Sequence, residues 1–509
     1  MKVLFVYPDF GRGASGKFYH GVAFLSRALK REGHTISLFH AIDRPDPGEF
    51  VARVESLEPD LVAFSTTTNM FSSVREFAGA LRKKRKVLSV CGGVHATLAP
   101  EEVIGSDGVD VVCVGEGEDA LVELCQRLES GRDPTDVRNL WYKTNGKIVR
   151  NPVRPLRENL DELGFPDRSI FDRSVLEDAR LERQVFLASR GCPYDCSYCC
   201  NHSLREVAEG KYVRFRSPGH VVEEIETVVR EDAPRYLIFH DDVLTLNKKW
   251  LREFAELYRD RISLPFVCNS VATALDEQCL KLLKEAGCIE ALIGIESGDE
   301  ELRTKILRRR MGEEAILRAF HLCEHSGLES TAYNMVGLPF ENMEKVLRTI
   351  KLNARARPTK IQVSIFFPFP GTRLYELCKL KSFLTSASAD SYFEASTITQ
   401  PSMNADEVRF VFGNFTFLAD LYRLAFSIGR VSGWVEGLLD FLYFRRSKVI
   451  SAFNRRIVAD ALSYRNRHGT KALLGKLAGR LVAHRPGGVR TVSTGRRNAG
   501  RRQVTEARP

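Results

Sequence analysis

The sequence lacks both a long uninterrupted hydrophobic run and a secretory leader. Its most apolar stretch, residues 410–444, is broken by charged residues at Asp420, Arg423, Arg430, Glu436 and Asp440. A membrane-spanning helix needs roughly 20 predominantly apolar residues, so this density of charge excludes one. Residues 1–8 form a short apolar segment that ends at a proline, without the hydrophobic region and cleavage site of a secretory signal. We therefore expect a cytoplasmic protein whose 12 cysteines stay reduced.

A strong net charge is also missing from most of the chain. The formal net charge is +10, but residues 484–509 hold seven arginines against one glutamate, which leaves about +4 for the rest. This last segment is rich in glycine, serine, threonine and arginine, so it is predicted to be a disordered basic tail. Such a tail can contact nucleic acid or acidic lipid. A solvated extension is the simpler interpretation, and nucleic acid is not expected as a partner.

The most informative motif is a cysteine triplet without a fourth cysteine at the spacing of a ligand. Cys192, Cys196 and Cys199 form the pattern CxxxCxxC directly after an apolar, strand-like segment. A closed zinc site uses four protein ligands, and ferredoxin-type iron–sulfur clusters use four cysteines. Three cysteines on a 4Fe-4S cluster leave one iron open, which indicates chemistry at the cluster. A zinc site completed by His202 or Cys200 is the alternative.

Residues 1–138 alternate short apolar segments with amphipathic ones, which predicts a doubly wound, Rossmann-like parallel sheet. Strands are predicted at 3–7, 35–39, 60–65, 87–91 and 111–114, and helices at 19–32, 50–57, 71–84 and 119–128. Such a sheet binds its ligand beyond the carboxyl ends of its strands. Small residues there, which let a polar or phosphate-bearing ligand approach the backbone, are Ser65, Gly92, Gly93 and Gly115. A GxGxxG string at 11–16 is weak evidence for a dinucleotide site.

Residues 139–182 are predicted to form a hairpin followed by a linker. Asn145 and Gly146 lie between two alternating segments and are a strong signal for a type I′ turn. Residues 150–182 are rich in proline and charge and have no regular period. They indicate a linker packed across the domains on either side.

Strand–helix alternation resumes on a larger scale in residues 183–380. Strands are predicted at 185–188, 236–240, 266–269, 291–295, 330–336 and 361–367, each followed by a helix. Six such units predict a partial (β/α)6 barrel, and in barrels the functional groups collect at the carboxyl ends of the strands. The candidate ligand-binding residues at those ends are Asp241, Asp242, Asn269, Glu296 and Ser297.

Several strings match a known family in sequence and in order. They are the cysteine motif with Tyr198 before its last cysteine, GIESG at 294–298, GLP at 337–339, GGxH at 92–95 and GEGE at 115–118. Together they resemble the radical S-adenosylmethionine (radical SAM) enzymes that carry an amino-terminal cobalamin-binding domain. No DxHxxG string supplies a histidine to cobalt, as is common in this family. Phe340 stands where the family usually has glycine.

The resemblance implies the cofactors and their contacts. The three cysteines would hold a 4Fe-4S cluster, and its open iron would bind the methionine part of SAM. Tyr198 would pack near the adenine, and Asp241 or Asp242 would meet the methionine amino group. Glu296 and Ser297 would face the ribose or the methionine. Cobalamin, unless the domain has lost it and kept the fold, would contact the small residues Ser65, Gly92, Gly93 and Gly115.

The resemblance also implies a reaction. An external electron donor of the flavodoxin or ferredoxin type would drive the cleavage of SAM to methionine and a radical that takes hydrogen from an unactivated carbon. With cobalamin nearby, methylation of that carbon in a small-molecule or lipid substrate is the expected outcome. A cobalamin-dependent cyclisation or rearrangement is the first alternative. A non-catalytic iron–sulfur or zinc protein that binds nucleic acid through its tail is the second.

Residues 381–483 are predicted to be helical, with a segment rich in aromatic residues and leucine. The simplest interpretation is that they cover the open side of the barrel or form a wall of the substrate site. A basic and aromatic amphipathic surface can also lie on a membrane, which would suit a lipid substrate.

Overall fold

The structure is a computed structural model that describes residues 1–10, 16–84, 86–144, 146–385, 396–429 and 432–446, with 448, 450–452 and 454. The basic tail predicted at 484–509 and the helical region predicted from residue 455 onward lie outside the described residues. Of the helices that are described, none has the length and hydropathy needed to cross a membrane.

The strands are β1 Lys2–Pro8, β2 Thr35–Ala41, β3 Leu61–Ser65, β4 Leu88–Gly92, β5 Val111–Cys113, β6 Leu140–Thr144, β7 Lys147–Arg150, β8 Arg183–Phe186, β9 Ser189–Arg190, β10 Arg214–Phe215, β11 Tyr236–Phe239, β12 Phe266–Ser270, β13 Cys288–Glu296, β14 Glu329–Val336 and β15 Lys360–Ile365. The helices are α1 His20–Arg31, α2 Pro47–Leu57, α3 Phe71–Lys84, α4 Val94–Leu98, α5 Pro100–Gly105, α6 Glu118–Glu129, α7 Glu177–Arg180, α8 Asn201–Leu204, α9 Pro218–Asp232, α10 Lys248–Arg261, α11 Glu277–Glu285, α12 Glu313–Ser326, α13 Met343–Ala356, α14 Arg373–Leu380, α15 Ala405–Ser427 and α16 Ser432–Phe444. A π-helical turn spans Leu302–Ile306.

The first domain is a sheet with helices on both faces. Its strand order is β2-β1-β3-β4-β5-β6-β7, and the strands from β2 to β5 are parallel. Alternate residues of a strand point to opposite faces, so Val3 and Phe5 join the core with α1 and α6, whereas Leu4 and Val6 join the core with α2 and α3. The predicted doubly wound fold is confirmed.

The predicted hairpin is formed by β6 and β7, and it extends the first sheet. β6 pairs antiparallel with β5, and β7 pairs antiparallel with β6. The buried Asn139 side chain donates to the Val114 carbonyl (2.8 Å), which ties the start of the hairpin to the end of β5. The sequence places this hairpin outside the first domain, because a turn signal reveals a hairpin but not its partner strand.

Two adjacent linker residues contact the domains on either side. Asp167 accepts a hydrogen bond from Ser26 (2.6 Å) and pairs with Lys30 (2.8 Å), both on α1. Arg168 pairs with Glu224 (3.0 Å) on α9. The linker therefore fastens the first domain to the central one.

The central domain is a six-stranded parallel sheet in the order β8-β11-β12-β13-β14-β15. This order follows the chain, as expected for an opened barrel, and the six strands match the predicted ones to within a few residues. Closure of the sheet into a barrel stays a prediction. The core that α9 to α12 form with the sheet includes Phe186, Phe239, Phe254, Phe266 and Phe320.

The described carboxyl-terminal helices pack on the last elements of this sheet. α15 begins with a capping box, in which Asn404 Oδ1 accepts the Glu407 N–H (3.0 Å) and the Glu407 carboxylate accepts the Asn404 N–H (2.9 Å). α15 packs against α13 and the edge strand β15, and α16 packs against α15. α15 thus covers the β15 edge of the sheet, and its role at the open side of a barrel stays a prediction.

Candidate active site

The loop that carries the three cysteines is held by neighbouring helical segments. The Ser197 N–H donates to the Leu307 carbonyl (3.0 Å), and the Leu374 N–H donates to the Ser197 carbonyl (2.9 Å). Asp195 pairs with Arg373 (2.5 Å) at the start of α14. The loop is therefore preorganised by contacts with residues more than 100 positions along the chain.

The three thiols have different electrostatic surroundings. Cys199 Sγ accepts hydrogen bonds from the Cys200 thiol and the Asn201 amide (3.5 Å), which lower the pKa of Cys199 to about 7 against the effect of burial. Burial raises the pKa of Cys192 to about 12 and also raises the pKa of Cys196. Metal ligation requires thiolates, so a metal centre bound here would displace protons from this loop.

His202 is already engaged on both of its ring nitrogens. It is buried, its Nε2 accepts the Arg373 N–H (3.2 Å), and its Nδ1–H donates to the Cys196 carbonyl (3.1 Å). Across the part of the chain that the structure describes, no three His, Cys, Asp or Glu side chains converge closely enough to hold one metal ion. Because both of its ring nitrogens are engaged, His202 is not free to complete a zinc site in this arrangement.

The two acidic residues that follow β11 are not equivalent. Asp241 is fully buried, and its carboxylate accepts hydrogen bonds from the Ala188 N–H (3.1 Å) and the Ser189 hydroxyl. Burial raises the pKa of Asp241 to about 6. Asp242 is exposed, and its charge adds to the effect of burial in raising the pKa of Cys192. Asp242 is therefore available to a ligand, whereas Asp241 joins β11 to the strand that leads to the cysteines.

A half-buried arginine, Arg309, lies between the cysteine loop and the end of β13. Arg309 donates from Nη1 to the Tyr198 hydroxyl (3.2 Å) and to Cys196 Sγ (3.8 Å), and from Nη2 to the Gly294 carbonyl (2.7 Å). Burial raises the pKa of Glu296, and the Arg309 charge opposes that rise. The Arg309 Nε–H has no hydrogen-bond partner among the described residues. A cationic donor thus stays available beside Tyr198 and Glu296.

The GIESG string forms a tight turn against α13. A Cβ at Gly298 would lie 2.5 Å from the Thr349 Cα, so only glycine fits there. The Ser297 side chain is fully buried, and its hydroxyl accepts the Asp299 N–H (3.3 Å). The Ser297 hydroxyl is thus directed into the turn, whereas Glu296 faces Arg309.

The GLP turn is closed by hydrogen bonds from two side chains, Gln400 and Glu341. Phe340 has a φ of 64°, in the left-handed region that favours glycine. The Phe340 N–H donates to Gln400 Oε1 (2.6 Å), and Gln400 Nε2 donates to the Leu338 carbonyl (2.7 Å). The buried Glu341 carboxylate accepts the Gly337 N–H (2.7 Å) and closes the turn.

A cavity of about 200 Å³ lies at the carboxyl ends of β1, β3, β4 and β5. Four small residues that the sequence singles out border it, namely Ser65, Gly92, Gly93 and Gly115. Gly93 has a φ of 99°, and a Cβ there would lie 2.5 Å from the Thr66 carbonyl oxygen. The wall continues into the central domain through Leu187 and Arg190. Because Arg190 lies two residues before Cys192, the cavity and the cysteine loop adjoin.

An ion cluster joins the wall of this cavity to the cysteine loop. Arg190 on β9 pairs with Glu116 (3.0 Å) and Glu118 (2.6 Å), and Arg214 on the paired strand β10 binds Glu116 (2.7 Å). Burial raises the pKa of Glu116, but Arg214 and Arg190 outweigh burial and hold that pKa at about 2. The Arg190 guanidinium also lies 5.1 Å from the ring centroid of Phe24. The GEGE string thus fixes the start of the cysteine loop.

Two family models match these two parts of the chain. The B12 binding domain model matches residues 19–125, and the Radical SAM superfamily model matches residues 186–352. The chain is a radical SAM protein with a B12-binding domain.

Relatives of this radical SAM protein span most of its length. An uncharacterized methyltransferase of Pyrococcus horikoshii is 28% identical over 376 residues, which cover 73% of this chain and 81% of the relative. The anaerobic magnesium-protoporphyrin IX monomethyl ester cyclase of Rubrivivax gelatinosus is 27% identical, with 74% and 70% covered. The structure of the radical SAM methyltransferase TsrM of Kitasatospora setae, with cobalamin and a 4Fe-4S cluster bound, gives a TM-score of 0.62 at 19% identity, with 79% of this chain and 83% of TsrM covered.

A radical SAM protein of this type uses a 4Fe-4S cluster, SAM and cobalamin, and the residues present fit all three. Three thiols without a fourth ligand suit a cluster with one open iron. His20 borders the glycine-lined cavity, is more than nine-tenths buried, and has an Nε2 without a hydrogen-bond partner among the described residues. An unsatisfied buried nitrogen at a cavity suits a polar ligand such as the cobalamin nucleotide. His95 packs instead on the Phe71 ring (4.4 Å) and is not one of the residues that border the cavity.

The structure groups the predicted site residues of this radical SAM protein in two places. Tyr198 and Glu296 surround Arg309 near the cysteines, and the small residues of the first domain surround the cavity. Asn269 donates to the Asp241 carbonyl (2.9 Å) and supports the end of β11. Arg190, Arg309 and His20 are not predicted as site residues by any sequence motif, although the position of Arg190 just before the cysteine motif is a usable signal. Contacts of the named residues with SAM and cobalamin stay predictions.

Asp242→Asn is expected to weaken SAM binding about 10- to 100-fold while leaving thermal stability unchanged. The substitution removes a charged acceptor for the methionine ammonium, and hydrogen bonds to charged groups contribute about 1.5–3 kcal/mol. Equilibrium dialysis with labelled SAM measures the effect. Asp241→Asn is the paired variant, and it should lower the melting temperature because the buried Asp241 carboxylate bonds to Ala188 and Ser189. If Asp241→Asn weakens SAM binding and Asp242→Asn lowers the melting temperature, the two residues have the opposite roles.

Proposed function

We propose that this radical SAM protein methylates an unactivated carbon of a small-molecule or lipid substrate. When bound, the cofactors supply a 5′-deoxyadenosyl radical from one SAM and a methyl group that cobalamin carries and a second SAM replaces. The observation that carries the proposal is the shared wall, since the cavity fitted to cobalamin is bordered by Leu187 and Arg190, just before Cys192. The methyl carrier and the source of the radical would face one space, as transfer between them requires.

In this proposal the side chains position the reactants and do not themselves react. The three cysteines hold the cluster. Asp242 accepts a hydrogen bond from the SAM ammonium, and the free Nε–H and the charge of Arg309 meet the SAM carboxylate. Arg190 holds the cysteine loop against the cobalamin cavity. The protein supplies orientation and the exclusion of solvent and oxygen, while the cofactors supply the chemistry.

The cleavage of SAM consumes one electron, so we propose an external donor of the flavodoxin or ferredoxin type. Pro193 and Tyr194 of the cysteine loop are exposed, which gives a donor access to the cluster. Arg308 and Arg373, each partly exposed, flank the loop through their pairs with Asp195. A surface with this excess of positive charge suits an acidic donor.

Cyclisation is the second candidate, because the cyclase relative matches this chain almost as closely as the methyltransferase relative does. Reduced, cluster-loaded protein supplied with methyl-deuterated SAM and a cell extract as the source of substrate separates the two. Methylation gives a product that carries the labelled methyl group, with S-adenosylhomocysteine formed beside 5′-deoxyadenosine. A product without label, formed with 5′-deoxyadenosine but no S-adenosylhomocysteine, would overturn methylation in favour of cyclisation.

A further inference from the structure

α16 has an inward face that packs on the central domain. Leu439 and Tyr443 are buried on this face. Glu436 and Asp440, on the same side, both pair with Lys351 of α13 (2.8 and 2.9 Å). Both acidic residues of this helix are therefore turned toward the fold, where Lys351 balances one of their two charges.

The opposite side of α16 is apolar and exposed. Trp434, Leu438 and Phe441 follow each other at intervals of four and three residues, which places them along one side of the helix. Trp434 is 83% exposed and Phe441 is 56% exposed. The side chains of this surface, called here the α16 face, are Trp434, Leu438, Phe441 and Phe444. Single exposed apolar residues are ordinary, but four large ones on one helix mark an interaction surface.

Positive charge begins where the α16 face ends. Arg445 and Arg446 are exposed, and Arg445 lies over the Phe441 ring at 5.2 Å. Arg446 is 3.8 Å from Glu407, so part of its charge is shared with α15. In the sequence, residues 445–509 hold 17 lysines and arginines against two acidic residues, whereas residues 1–444 carry a net charge of −5. The apolar face is thus followed by the basic part of the chain.

We propose that the α16 face binds the surface of an anionic phospholipid bilayer. Tryptophan, phenylalanine and leucine side chains enter the boundary between headgroups and acyl chains, and the adjoining basic groups meet the lipid phosphates. A nucleic acid would use the charge but leave the apolar side chains uncovered, and a second copy of this chain would bring two basic segments together. This surface is independent of the reaction proposed above.

Flotation of the full-length, cluster-loaded protein with vesicles tests the proposal. We expect binding to vesicles of phosphatidylcholine and phosphatidylglycerol in equal parts, and about tenfold weaker binding to phosphatidylcholine alone. Acyl-brominated lipids should quench the fluorescence of the wild-type protein, because Trp434 is the most exposed of its three tryptophans. Absence of both binding and quenching would overturn the proposal without recourse to any variant.

The double variant Trp434→Ser and Phe441→Ser should bind the anionic vesicles at least about tenfold more weakly, with 5′-deoxyadenosine formation unchanged. Leu380→Ser is the matched control, because Leu380 is 79% exposed on a different helix, α14, and its loss should leave binding intact. Unchanged vesicle binding of the double variant would overturn the assignment. The assignment would also be overturned if the wild-type protein formed a dimer that the double variant does not form. Binding to single-stranded RNA and not to vesicles would overturn it as well.

Discussion

Cys196→Ala is expected to abolish the formation of 5′-deoxyadenosine. Cys196 is the middle cysteine of the triplet, is buried, and lies within hydrogen-bond reach of Arg309, so its removal leaves two cysteines of the CxxxCxxC motif for the cluster. Iron content after anaerobic reconstitution should fall together with SAM cleavage. Cleavage at the wild-type rate would contradict the cluster assignment.

Cys200→Ala is the matched control for that experiment. Cys200 lies in the same loop and donates a hydrogen bond to Cys199, but it falls outside the CxxxCxxC spacing. A hydrogen bond contributes about 1 kcal/mol, so SAM cleavage should change by no more than about fivefold and iron content should persist. Equal loss of iron in both variants would make Cys200 a ligand.

Arg190→Gln is expected to impair cobalamin binding while leaving the iron–sulfur cluster in place. The change removes the pairs with Glu116 and Glu118 together, and both pairs are partly shielded from solvent. The start of the cysteine loop then loses its attachment to the cavity wall. We expect loss of corrinoid absorbance from the purified protein and, if the reaction is methylation, an at least tenfold rise in 5′-deoxyadenosine formed per methylated product. Iron content should stay close to that of the wild type.

Arg157→Gln is the control for the loss of an arginine at the same domain boundary. Arg157 pairs with Asp119 and Glu162 at partly exposed positions, where ion pairs contribute about 0–1 kcal/mol, so cobalamin content and coupling should not change. Arg190→Lys should restore part of the cobalamin binding because it keeps one charge. If Arg190→Gln retains cobalamin and full coupling, the ion cluster has no positioning role.

Periodicity and strand order were sufficient to predict most of the fold. The helix α3 has the bounds that its apolar spacing predicts, and Phe71, Val74, Phe77 and Leu81 are buried on one face. The carboxyl ends of parallel strands share an edge, which is why the cysteine loop and Glu296 could be placed near each other without coordinates. The same rule placed Ser65, Gly92, Gly93 and Gly115 together at one edge of the first sheet.

The remaining features depend on contacts between distant parts of the chain. Asp241 and Asp242 are adjacent in sequence, and which one is buried is decided by hydrogen bonds to residues more than 50 positions earlier. Arg190 and Glu116 are 74 residues apart and meet only because the two domains dock. Arg309 belongs to a run of three arginines, which by pattern alone indicates a solvated charge cluster.

The turn at Gly337–Glu341 affects whether the carboxyl-terminal part of this enzyme can be exchanged on its own. A non-glycine residue in the left-handed conformation costs about 1–2 kcal/mol, and at Phe340 the amide of Gln400 offsets that cost by serving both a donor and an acceptor of the turn. The Gln400 side chain, 60 residues further along the chain, thus supplies the hydrogen-bond partners of this turn, as a neighbouring strand does within a sheet. The carboxyl-terminal part is therefore not an interchangeable module. A chimaera that exchanged it between relatives would have to transfer position 340 and position 400 as a pair.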